Sequence, residues 1–145
     1  MRRRFLLAGA ALLALPSGPA LATKPEVAAA IAALTKGATP RTGRIRLDLP
    51  LLVENGNAVA MTITEPEEFP TAERILSLHV FAEGNPLPQV INAHFGPRSG
   101  RPFLATRIRL ATSQTVIAVA ACADGSFWTD NVELLVTLAA CIDEL

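Results

Sequence analysis

The chain has 145 residues, with 13 Lys and Arg against 13 Asp and Glu, a formal net charge of zero, and a hydrophobic half. That length suits one domain burying a single core, and the charge balance supplies none of the basic surface that nucleic acid requires. Two cysteines, Cys122 and Cys141, are too few for a disulfide-stapled scaffold, and there is no nucleophile elbow, phosphate loop, zinc-protease helix or paired-carboxylate signature.

The first element is a leader. Arg2, Arg3 and Arg4 precede an apolar run through Leu15, and Ala20-Leu21-Ala22 places small residues at the two cleavage-determining positions, so residues 1–22 are expected to be an export signal peptide. The arginines followed by Phe5-Leu6 fit the twin-arginine pattern of bacterial export; an ordinary secretory signal with extra arginines is the alternative. The apolar run is shorter than the roughly 20 residues that span a bilayer, so no membrane association is expected after removal, and the periplasm is the expected address. Losing Arg2, Arg3 and Arg4 takes the basic residues to ten against thirteen acidic ones, a net charge of −3.

Thr23-Lys24-Pro25-Glu26 has the form of a capping box with a proline in the first turn, and Val27, Ile31 and Leu34 recur at helical spacing, which predicts a short helix over Pro25 to Thr35 stopped near Gly37. From Arg44 the period becomes two. Ile45, Leu47 and Leu49 alternate with Arg44, Arg46 and Asp48; Val59, Met61 and Ile63 form a second set after the Asn55-Gly56-Asn57 turn. The loop Glu65-Pro66-Glu67-Glu68-Phe69-Pro70 reads as polar. Arg74 to Ala82 reads as a strand with Leu76, Leu78 and Val80 on one face and Ser77, His79 and Phe81 on the other.

Strands are also expected over Gln89 to Phe95 and over Phe103 to Leu110, with Leu104, Ile108 and Leu110 opposite Arg107 and Arg109. Thr115 to Ala123 is apolar on both faces, as a central strand should be. Asp124-Gly125 signals a hairpin into Ser126 to Thr129, and Val132 to Val136 forms the last strand. Seven or eight short strands with turns every eight to twelve residues predict an all-β fold: an immunoglobulin-like antiparallel β-sandwich with a short N-terminal helix and a C-terminal arm. A barrel is the alternative, less suited to the Pro and Gly interruptions.

Several motifs in order carry a resemblance: His79-Val80-Phe81-Ala82-Glu83-Gly84-Asn85-Pro86-Leu87-Pro88, His94-Phe95, Thr106-Arg107-Ile108-Arg109-Leu110-Ala111 and Asp124-Gly125-Ser126-Phe127-Trp128, together with Arg44-Ile45-Arg46-Leu47-Asp48-Leu49-Pro50 and Glu54-Asn55-Gly56. The chain resembles SoxY, the carrier protein of periplasmic thiosulfate oxidation, with a SoxY-like domain over 23–138 and an arm over 139–145. The resemblance implies a carrier rather than an enzyme, no cofactor, a heterodimer with a SoxZ-like subunit, and sulfur-oxidation enzymes as partners of the arm. It maps the covalent sulfur attachment onto Cys141. The family's arm ends Gly-Gly-Cys-Gly-Gly, whereas here Ala139, Ala140, Ile142, Asp143 and Glu144 surround the thiol. That departure is most like a SoxY-related offshoot with an Ala-Ala-Cys-Ile-Glu type arm, Asp143 standing where that type has Glu.

On the residues alone, Cys141 is either an exposed handle, half of a bridge to Cys122, or inert. Ala139 and Ala140 narrow the backbone that glycines would leave open, Ile142 adds bulk beside the sulfur, and Asp143, Glu144 and the terminal carboxylate oppose ionisation of the thiol unless a partner supplies cations. Cys122, in the doubly apolar strand, reads as a buried inert thiol. His79, His94, Cys141 and Met61 contain copper-type donors, but no His or Met follows Cys141, so packed structural histidines are expected and no metal. Arg44 with Arg46, and Arg107 with Arg109, read as solvated strand faces; of Phe127 and Trp128, at least one should fill the core. Besides the carrier, a binding or assembly module of the same fold whose arm has lost or changed that role is the second reading.

Overall fold

The computed structural model describes residues 23–137; the expected signal peptide at 1–22, Leu138 and the arm at 139–145 lie outside the described residues. Helix α1, Lys24–Thr35, is started by its own first turn, where the Thr23 backbone N–H donates to Glu26 Oε2 at 2.7 Å and Pro25 sits where a helix needs no N–H. It ends where Lys36 takes a left-handed conformation at φ 53° and Gly37 follows at φ 83°, its N–H reaching Ala32 O at 3.0 Å.

Nine strands follow: β1 Arg41–Thr42, β2 Arg46–Asp48, β3 Leu52–Val53, β4 Val59–Thr64, β5 Ile75–Ala82, β6 Gln89–His94, β7 Phe103–Ile108, β8 Gln114–Cys122 and β9 Phe127–Val136. The larger sheet runs β1-β9-β8-β5-β6, with β3 also paired to β9; the smaller runs β2-β4-β7. One core lies between them. Val59, Met61 and Ile63 from β4, Leu78 and Val80 from β5, and Val116, Ala118 and Ala120 from β8 are all at most 2% exposed, and each larger one contributes roughly 1.5–3 kcal/mol relative to the exposed side chain. The outer face of the larger sheet is covered by α1, whose Val27, Ile31 and Leu34 pack on Phe81, Val119, Ile117 and Phe127. The larger sheet is thus the middle layer, and β5 and β8 are buried on both faces.

Four expectations change. Leu76 does not share a face with Leu78 and Val80: the register slips between Ile75 and Ser77, and the bulge turns Leu76 out to solvent, 36% exposed. The opposite face of β5, Ser77, His79 and Phe81, is buried too, with Phe81 packed under α1. Arg44 is buried rather than solvated, and the polar loop after β4 begins with a buried Glu65, because the two pair at 2.7 Å. The sheets are not wholly antiparallel, since β1 and β3 both lie parallel to β9 along its otherwise open edge. The two segments expected after the hairpin are one ten-residue strand, held continuously against β8 from Phe127 to Leu134.

Candidate functional site at the end of β9

The predicted site residues Cys141, Ala139, Ala140, Ile142, Asp143 and Glu144 lie outside the described residues. The fold does describe the platform from which the chain leaves toward them. Val136 and Thr137, the last described residues, are clamped on both sides. Val136 N–H donates to Ser113 Oγ at 2.8 Å, and Thr137 N–H donates to Val53 O at 2.9 Å. The Thr137 hydroxyl lies 3.4 Å from Val53 O and 3.3 Å from Glu54 O, and Leu135 N–H donates to Leu51 O at 2.9 Å. Beneath them Leu134 and Val53 are buried at 1% and 6% exposure and tie this end to the core. Above them the surface is apolar: Leu52 and Leu135 are paired in register, and Leu51, Leu52 and Leu135 are 71%, 60% and 62% exposed.

A depression of 270 Å³ beside Leu135 is bordered by Lys24, Glu83, Gly84, Ser113 and Glu133, with Lys24 Nζ 4.0 Å from Glu83. Gly84 is required by close approach, because a Cβ there would meet Thr112 Cγ2 at 2.8 Å and Gln114 Cβ at 3.0 Å. Gln114 then ties the turn together: its Oε1 accepts from Gly84 N–H at 2.8 Å, and its Nε2 donates to Asn85 Oδ1 at 3.0 Å and Thr112 O at 2.9 Å. Asn85 holds the end of β7 through Arg109 O and Ala111 N–H. The Glu83-Gly84-Asn85 and Arg109-Leu110-Ala111 motifs therefore meet in one network next to Ser113, the residue that clamps Val136. Ser113 and Gln114 were not among the residues singled out; their signal is only a polar pair ahead of an apolar strand.

The other end of β9 is closed. Cys122 is a buried free thiol at the hairpin, with its N–H on Ser126 O and its carbonyl accepting from Gly125 N–H. Burial pushes the thiol pKa up, against the opposing effects of a Ser126 hydrogen bond and the Arg44 charge. Arg44 donates from Nε to Glu65 and from Nη2 to Glu73 O at 2.6 Å, and its guanidinium lies 3.9 Å over Phe69. Phe69 faces Trp128 at 6.5 Å, and Arg41 lies 4.4 Å over that indole. Trp128 packs on the core and Phe127 under the helix, so both aromatics are structural.

His79 and His94 meet edge to face at 6.0 Å. Asn92 Oδ1, which also accepts from Gln89, lies 2.8 Å from His79 Nδ1, and the Ser77 hydroxyl lies 2.9 Å from Nε2. This makes Nδ1 the protonated nitrogen and occupies the Nε2 lone pair with the Ser77 proton, so the ring has none left for a metal. Burial lowers the His79 pKa, with the His94 charge adding to it and the Asn92 bond opposing it. Among the described residues no three His, Cys, Asp or Glu side chains gather at a metal-ligating spacing, and no helix is long and apolar enough to cross a membrane. Arg107 and Arg109 are exposed.

A family model described as "Sulfur oxidation protein SoxY" matches residues 31–141, a span that includes Cys141. No curated protein matches the chain. Among solved structures, a superoxide reductase (neelaredoxin) from Ignicoccus hospitalis is 17% identical with a TM-score of 0.54, covering 80% of this chain and 94% of that one. Its T24K variant is 18% identical with a TM-score of 0.56 over 72% of this chain and 86% of that one. A putative superoxide reductase from Thermotoga maritima is 20% identical with a TM-score of 0.54, covering 71% and 89%. These likenesses concern the β-sheet fold alone.

Proposed function

The chain belongs to the SoxY family of sulfur oxidation proteins, and on that premise we propose that it is a periplasmic carrier subunit that holds a sulfur intermediate covalently on Cys141. In this reading an immunoglobulin-like sandwich presents a C-terminal arm, pairs with a SoxZ-like subunit, and hands the arm to separate sulfur-oxidation enzymes. The single observation that carries it is the reach of the family match to Cys141. The platform at Val136 and Thr137 supports it, because a carrier needs a fixed point from which its thiol is offered.

Geometry also argues against a bridge between the two cysteines. Cys122 ends β8 beside the start of β9, where Ala121 pairs with Phe127, and a ten-residue strand is about 30 Å long at roughly 3.2–3.4 Å per residue. Thr137 to Cys141 spans at most about 13–14 Å. A disulfide needs Cα atoms within roughly 7 Å, and these lengths support a carrier thiol over a bridge to Cys122. The offshoot-type arm, without flanking glycines, favours a second reading: an assembly module that kept the fold and partner but lost the carrier role.

Intact-mass analysis of the protein purified from thiosulfate-oxidising cells tests the choice. Added sulfur, sulfonate or thiosulfonate mass on the peptide containing Cys141, absent from Cys141→Ser, supports the carrier. Unmodified Cys141 together with full thiosulfate oxidation by Cys141→Ser selects the assembly module.

A further inference from the structure

The short connection from the platform to the thiol constrains where enzymes touch this protein. Resting on the carrier reading, we infer that Leu51, Leu52 and Leu135 form the docking surface for the enzymes that act on Cys141, and that those enzymes present an apolar collar with a basic rim around the active-site mouth. Four residues beyond Thr137 place the Cys141 Cα no farther than about 13–14 Å from the platform. An enzyme whose active site is recessed by a comparable depth, and so shields the sulfur intermediate from water, closes its rim onto the residues around Thr137. Those residues are the three leucines.

The patch is unlike the other exposed apolar side chains. Leu76, Leu87 and Phe103 lie on separate elements, β5, the β5–β6 turn and the start of β7, and single exposed apolar residues are ordinary surface. Leu52 and Leu135 are instead cross-strand partners in register, and Leu51, the residue before Leu52, accepts the Leu135 N–H on its backbone carbonyl. A backbone already held by hydrogen bonds gives up little conformational entropy on contact. The exposed Glu54 and Glu133 flank it, Lys24 at the edge of the same depression lies 4.0 Å from Glu83, and Asp143 and Glu144 follow the thiol in sequence. That acidity selects a basic rim and makes encounter faster at low salt.

The test uses the full chain with its co-purifying subunit in thiosulfate-oxidising cells. After a thiosulfate pulse, the initial rate at which added sulfur mass appears on Cys141 is compared for wild type, Leu52→Glu/Leu135→Glu and Phe103→Glu. The double variant should load at least tenfold more slowly, with thermal unfolding, oligomeric mass and the co-purifying subunit unchanged, while Phe103→Glu loads like wild type. Wild-type loading by the double variant, or an equal defect in Phe103→Glu, overturns the docking surface and leaves the carrier reading standing. Loss of the co-purifying subunit or a change in oligomeric mass assigns the leucines to a stable interface and also overturns it. A wild-type protein that never gains mass sinks the carrier reading and this inference with it.

Discussion

The two ends of β9 are built from the same strand and do opposite things. At the Phe127 end, side chains turn inward: Cys122 is buried, Arg44 and Glu65 pair out of solvent, and Phe69 and Trp128 meet at a tilt between Arg44 and Arg41. At the Val136 end the backbone is held just as firmly, by Ser113 and Val53, but three leucines face solvent. Rigidity at one end encloses a cysteine; at the other it positions the exit toward one. At that end the firm backbone carries uncovered apolar side chains, and such exposure adds nothing to the stability of the chain alone.

Thiol labelling draws the contrast most sharply. After reduction, native protein should show one fast thiol equivalent, lost in Cys141→Ser, with Cys122 reacting only on unfolding because burial holds it protonated and inaccessible; two fast thiols would erase the difference between the ends. Arg44→Met should cost about 3–5 kcal/mol in urea unfolding, since it leaves Glu65 buried without a partner.

Acid should loosen the fold through His79. Its folded pKa lies below the ordinary 6.5, so the unfolded chain binds more protons as pH falls. The stabilisation is complete above about pH 6.5 and is lost as pH drops toward the folded value. His79→Gln should flatten the urea midpoint between pH 7.5 and 5.5. The contribution of Asp124, whose pKa the Ser126 hydroxyl and N–H lower from 3.8, is lost only in stronger acid.

At the exit end the effects shrink. Ser113→Ala should cost about 0.5–1.5 kcal/mol, the worth of the bond to Val136 N–H. Leu52→Ser should shift stability by no more than about 0.5 kcal/mol, and a larger loss would place Leu52 in the core after all.

Much of this was legible before any coordinates. Val59, Met61 and Ile63, and Ile45, Leu47 and Leu49, alternate at period two, and they are buried as that period demands; the doubly apolar run ending at Cys122 is a central strand. Cys141 stands out by position and by the motifs before it. Such signals are local, carried by residues a few positions apart.

What the chain alone could not decide depends on partners distant in sequence. Arg44 reads as surface because its carboxylate is 21 residues away and its aromatic platform lies in a loop. Leu76 reads as core because a bulge is a mismatch between two strands and leaves no mark on one of them. Nothing near Leu51 and Leu52 in the chain marks them, and only the pairing of β3 with the far end of β9 sets them beside Leu135, all three exposed. The sequence by itself determined the period and the central strand, because neighbouring residues encode backbone periodicity. Tertiary structure decided which charge is buried, which leucines face out and that Cys122 is enclosed, because burial arises only when strands far apart in the chain are paired.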